Sequence, residues 1–160
     1  IDRGVSEVTP LARSEDAVDK GLALDERYVR ANTLKARLMI ERLARAPKDD
    51  PEMLKQARRH IIRANRADPE DPLPLILWHE SHVRFGETPD QNAHNGLEKA
   101  FYLIPEASDV RIRYAYDLAR LGKHDEAIRI VEFLANDPHQ GEFGRSVLKQ
   151  LQEMKARVQK

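Results

Sequence analysis

Ala57, Ile61, Ala64 and Pro69 stand at offsets of four, three and five, and Ala93, Leu97, Ala100 and Pro105 repeat the same offsets. In an α-helix the first three positions of such a set share one face, one turn above the next. The proline that follows cannot continue the helix, because it lacks the N–H and clashes with the preceding turn. Each set therefore describes a helix with a small-residue seam and a fixed stop, the second helix of a two-helix repeat. Looser copies read Ser14-Val18-Gly21-Glu26 and Ala127-Val131-Leu134-His139, the last with Pro138 one residue early. Their final positions, 26, 69, 105 and 139, are 43, 36 and 34 residues apart. The excess over a 34-residue period falls at 44–52 and 86–90, where loops are expected.

The remaining pattern is helical throughout. We expect helices over about 10–25, 27–45, 51–67, 72–85, 89–104, 109–121, 125–136 and 142–158. Asp50-Pro51 and Asp71-Pro72 each place a capping carboxylate before a proline suited to the first helical position, and Ser108 is expected to cap the sixth helix. Gly122, in LGKHDEA, is expected to end that helix in the left-handed conformation. The last helix is expected to gather Phe143, Val147, Leu151, Met154 and Val158 on one face. No stretch alternates apolar and polar residues with a period of two, which leaves a sheet without material.

Composition narrows the function classes. Lys+Arg and Asp+Glu are both 27 in 160 residues, so the chain has no net charge, which argues against a polyanionic nucleic acid as main partner. There is no cysteine, so disulfides and thiolate chemistry are excluded, and both the cytoplasm and a bacterial periplasm stay open as compartments. No apolar run approaches the ~18 residues of a membrane span. The first residue is Ile1, from which we expect a processed or excised piece of a longer protein.

At the recurring marks the chain resembles the tetratricopeptide repeat (TPR) family. KGLALDE at 20–26, RANRADP at 63–69 and KAFYLIP at 99–105 look like the end of that family's second helix. The first helices set Asn32…Lys35-Ala36…Met39, Leu75…Trp78-His79…His82 and Arg111…Tyr114-Ala115…Leu118 against the family pattern W-x2-L-G-x2-Y; the third fits well and the first poorly. The resemblance covers about residues 11–138. It implies an all-α superhelix of antiparallel helix pairs forming a single domain, 1–160. Residues 1–9 would be irregular, 10–26 an orphan helix, 27–69 the first repeat with an inserted loop, 70–105 the second, 106–139 the third, and 140–160 a capping helix.

The resemblance also implies a concave face built from the first helix of each pair. That face would present Thr33, Arg37 and Ile40, then Ile76, Glu80 and Val83, then Ile112, Tyr116 and Arg120. An aliphatic centre with charged edges suits a peptide or partner protein with apolar anchors. Arg37 and Glu80 stand where the chaperone-tail class of these repeats uses Asn, so a carboxylate-clamped tail is not expected. The expected function is a non-enzymatic protein–protein interaction scaffold without a cofactor. The orphan helix offers a further surface, for a homodimer. The alternative is a targeting or regulatory appendage of an enzyme; RANRADPEDPLPL and NDPHQG are also similar to C-terminal repeat segments of larger bacterial proteins, some with a peptidase-like N-terminal part.

Two other constellations invite chemistry. His79 and His82 lie three apart and could share an ion on one side of a helix, but the H-E-x-x-H spacing and a third ligand are missing. We expect both to be packing residues. Lys55, Arg58, Arg59, Arg63 and Arg66 form a basic stripe opposite Ala57, Ile61 and Ala64. With the charge balanced elsewhere, this stripe reads as a solvated outer face paired with Glu52, Asp68 and Glu70. No GxSxG, phosphate-cradling glycine loop or other catalytic motif occurs.

Overall fold

The structure, a computed structural model, describes residues 10–45, 50–136 and 141–158, with side chains from residue 15 onward. The readings that fall on 1–9, on the loop at 46–49 and on Pro138 and His139 lie outside the described residues. The described residues form eight helices and no strand: α1 (Pro10–Leu24), α2 (Val29–Arg45), α3 (Pro51–Ala67), α4 (Pro72–Val83), α5 (Gln91–Leu103), α6 (Ser108–Arg120), α7 (His124–Ala135) and α8 (Gly141–Val158). None of the described helices is long and apolar enough to cross a membrane.

The ends of these helices follow their chemistry. Asp50 caps α3 by accepting the Met53 N–H, and Asp71 caps α4 by accepting the Leu73 N–H, each with a proline just inside. Asp90 does the same for α5 through Ala93, so α5 begins at Gln91 rather than at Pro89. Ser108 is no cap. It is the first residue of α6, and Ala107 takes the cap position without a side-chain bond. α4 stops at Val83, before Phe85, because the chain turns there into Gly86, whose φ is +73°. Gly122 holds φ +79° and closes α6, the Lys123 N–H returning to the Leu118 carbonyl at 2.9 Å.

The chain divides into two compact units, Ile1–Thr88 and Pro89–Lys160. In the first, α1 packs on α2, α2 on α3, α3 on α4, and α4 also on α2. Ala36, Ile40, Ala57, Ile61 and Leu77 form its main core, with Met39, Trp78 and Phe85 against it. Val18, Ala31 and Leu38 form a smaller one under α1. In the second unit the order recurs: α5 packs on α6, α6 on α7, α7 on α8, and α8 also on α6. Leu97, Val110, Tyr114, Leu118, Val131 and Leu151 are fully or nearly fully buried there. The recurring small residues lie in these interiors: Ala57, Ala64, Ala93, Ala100 and Ala127 have no exposed surface at all. Small residues at these positions let paired helices approach closely.

Polar groups lock both units. Asn32 is fully buried. Its amide N–H groups go to the Glu26 and Tyr28 carbonyls at 2.8 and 3.1 Å, so its Oδ1 accepts from His60 Nδ1 at 2.8 Å, joining α2 to α3. Arg58 is not part of a solvated stripe. Its guanidinium donates to the Ser81 hydroxyl and carbonyl at 3.1 and 2.9 Å, pairs with Glu87 at 2.6 Å and lies over the Trp78 ring. In the second unit Arg111 sits between the Phe101 and Phe133 rings, 5.3 Å from each centroid.

α8 departs from the expected face. Val147 and Leu151 are buried and Met154 is half-buried, but Phe143 and Val158 are exposed. Gly141 and Gly144 take the buried places instead, because α8 approaches the α7 backbone more closely than a phenylalanine allows. Within its unit α8 packs on α6 and α7 as α4 packs on α2 and α3.

Candidate functional site

The expected binding face belongs to α2 and α4 in the first unit and to α6, with α8 beside it, in the second. Each is described within its own unit.

On α2 and α4 the face is polar and cross-linked. Arg84 donates from both terminal nitrogens to the Glu41 carboxylate at 2.8 and 3.1 Å, and to Glu80 at 3.0 Å. This fork geometry fixes both side chains and adds charge-assisted strength. The bond from Arg84 holds the Glu41 carboxyl below the usual carboxylate range, and the same bond raises Arg84. Arg37 is exposed, and Val83 is 46% exposed. Thr33, Ile40 and Ile76, also expected on this face, are buried. The Thr33 hydroxyl donates to the Val29 carbonyl at 2.9 Å. Ile40 fills the core between α2, α3 and α4. These positions fall on helices with more than one neighbour: α2 packs on α1, α3 and α4, and α4 on α2 and α3.

Next to the Arg84 network lies a depression of about 930 Å³. Leu43, Ala44, Leu54 and Phe85 give it apolar walls, and Asp50, Arg84 and Glu87 charged edges. Glu87 is held ionised by its bond from Arg58. The sequence reading placed the aliphatic centre of the face at Ile40 and Ile76, which do not line this depression. It did not include Leu54, on the second helix of a pair, or Phe85, which follows the end of α4.

On α6 and α8 the face is built differently. Ile112 and Tyr116 are half-buried, and the Tyr116 hydroxyl donates to Gln150 Oε1 on α8. Burial raises the Tyr116 hydroxyl above its ordinary value, so it stays a donor. Arg120 is exposed at its tip and donates to Asp117 Oδ1. Asp117 also accepts from His94 Nδ1 on α5, and both of these residues are buried. Tyr114, one turn away, donates to Glu98 at 2.8 Å. The Asp117–His94 pair was not legible in the sequence, since its members lie 23 residues apart with no shared motif.

His79 and His82 are both buried. His82 Nδ1 donates to the Trp78 carbonyl at 2.8 Å, and its ring meets the Trp78 ring edge-on. Among the described residues no group of three or more His, Cys, Asp or Glu is placed to hold a metal ion. No protein-family model matches the chain, and comparison with curated proteins gives no significant match.

Proposed function

We propose that the chain is a TPR-like interaction module that binds a peptide or partner protein on the first-helix side of its repeats, without catalysis of its own. The observation that carries this reading is the depression of about 930 Å³ at the ends of α2, α3 and α4, where apolar walls meet the fixed charges of Arg84, Asp50 and Glu87. A concavity of this size, with an apolar floor and a few oriented charges, accepts one or two apolar side chains of a peptide and fixes its direction through the edges. The recurrence of one packing order in both units supports the repeat reading. So does the burial of Ala36, His79 and Ala115 at the small-residue position of the three first helices.

Peptide display against the whole chain tests it. Selected peptides are expected to carry apolar anchors. The substitution Ala44→Trp, which fills the depression from an exposed position, is expected to weaken them about tenfold or more, as loss of a central anchor pocket does. The melting temperature should hold. Peptides that bind Ala44→Trp and the parent chain equally would place the binding face elsewhere.

A further inference from the structure

We infer that Arg27, Arg63 and Arg66 form a binding site for a compact, multiply charged phosphate anion of the diphosphate class, independent of the peptide face. The three arginines and Ala67 line a depression of about 610 Å³. Arg27 comes from the α1–α2 turn, and Arg63 and Arg66 come from the last turns of α3.

The site is positioned in advance. The Asp25 N–H returns to the Gly21 carbonyl at 3.0 Å and the Tyr28 N–H to the Asp25 carbonyl at 3.1 Å, while the Arg27 N–H donates to Asp25 Oδ1 at 2.9 Å. The buried Asn32 then ties this turn, through Glu26 and Tyr28, to His60 on α3. His60 lies one turn before Arg63, so the same contact sets the spacing of the arginines. Burial, and then the charge of Arg63, holds His60 below its ordinary pKa, and its Nδ1–H is the donor to Asn32.

The charge of this cluster stands uncompensated. Among the described residues none of the three guanidinium groups has an ion-pair or hydrogen-bond partner. The other cations of α3 do have acids: Lys55 and Arg59 lie 4.0 Å from Glu52, and Arg58 is bound to Glu87. Two nearby aspartates are used locally, Asp25 on the Arg27 N–H at 2.9 Å and Asp68 on the Glu70 N–H at 3.0 Å. Helix polarity accounts for Arg66, since a cation suits the end of α3, but not for Arg27, which stands just before the positive start of α2. Three positive charges in one depression repel one another, and an anion relieves that.

The lining selects the anion. Guanidinium forks match phosphate oxygens two at a time. A single carboxylate leaves most of the charge unmatched. Among the described residues that line it none is aromatic or large and apolar, so charge and size decide. The zero net charge of the chain gives no field to hold a long polyanion.

Titration calorimetry of the whole chain at low salt, with pyrophosphate as the probe, tests this. One saturable site is expected, at least about tenfold tighter than for inorganic phosphate; Arg27→Gln and Arg63→Gln should each weaken it about ten- to a hundredfold, the worth of a hydrogen bond to a charged group. Arg59→Gln, on the same helix outside the depression, should leave the affinity unchanged. Adenosine diphosphate binding as tightly as pyrophosphate assigns the site to the diphosphate alone; tighter binding assigns it to a nucleoside diphosphate, and either supports the site. No saturable binding of pyrophosphate, or an equal loss with Arg59→Gln, overturns it.

Discussion

Gly144→Ala is expected to unseat α8 from α7. In an exposed helix interior this substitution stabilises by up to about 1 kcal/mol, because alanine is the better helix former. Here the sign reverses. A Cβ on Gly144 would lie 2.4 and 2.5 Å from the carbonyl carbon and oxygen of Leu134 and 2.6 Å from the Ala135 nitrogen. These are backbone atoms of α7 and cannot swing aside as a side chain would. α8 must then move outward. Val147 and Leu151, buried on the same helix, would lose close packing, and a gap of a fraction of an ångström already forfeits much of the dispersion contact. Overpacking of this kind costs about 1–3 kcal/mol and occasionally more, and the lost helix-side contacts place Gly144→Ala at the upper end. For a chain of this size that is a fall in melting temperature of roughly 5–10 °C. Thermal and urea unfolding measure it, with Ser146→Ala, at an exposed position of the same helix, as the neutral control. A Gly144→Ala chain as stable as its parent would mean that α8 does not meet α7 along this seam.

Gly144 also marks where sequence reading stops. The alanine seams and the Asp-Pro caps of α3 and α4 were legible because each is a local rule: an offset within one helix, or a carboxylate three residues or fewer from the N–H it accepts. The reading of Ser108 as a cap fails because Ala107 already holds that position, and the hydroxyl enters the helix. Phe143, expected on the apolar face of α8, stays exposed because hydrophobicity is only one claim on a buried place. Where two helices nearly touch, absence of a side chain is a stronger one. Among the predicted face residues, Arg37, Val83 and Arg120 are exposed, but Thr33, Ile40 and Ile76 are buried. A helix packed on two neighbours buries a wider arc than one packed on a single partner, and the second neighbour does not show in the helix's own periodicity. The buried polar residues Asn32 and Asp117 were missed for a related reason. Their partners, His60 and His94, lie 28 and 23 residues away, and nothing local announces them. The basic stripe separated in the same way: Arg58 became an internal cross-link, whereas Arg63 and Arg66 line one depression with Arg27 from the α1–α2 turn.

Asp117→Ala is the second large effect, expected to destabilise the Pro89–Lys160 unit by about 2–4 kcal/mol. Asp117 is 2% exposed and accepts from both His94 and Arg120. Removing one member of a buried charged pair costs about 3–5 kcal/mol, since the group left behind keeps its desolvation without its partner. Part of that is discounted here, because the Arg120 side chain is 38% exposed and rehydrates. His94 cannot do so: it is 6% exposed and lies beside the Tyr114 ring, with centroids 6.1 Å apart. The loss therefore falls mainly on His94. Asp117→Asn keeps an acceptor oxygen for His94 and should cost less, about 1–2 kcal/mol, the scale of a weakened rather than a missing hydrogen bond. A double-mutant cycle separates the two contributions. If His94 is the group left unsatisfied, His94→Ala in the Asp117→Ala background adds much less than His94→Ala alone, with a coupling of about 1–3 kcal/mol. Additive costs would mean that the two residues stabilise the unit separately, and a change in Asp117→Ala below about 0.5 kcal/mol, the scale of an ordinary surface substitution, would mean that the α5–α6 contact does not depend on this carboxylate.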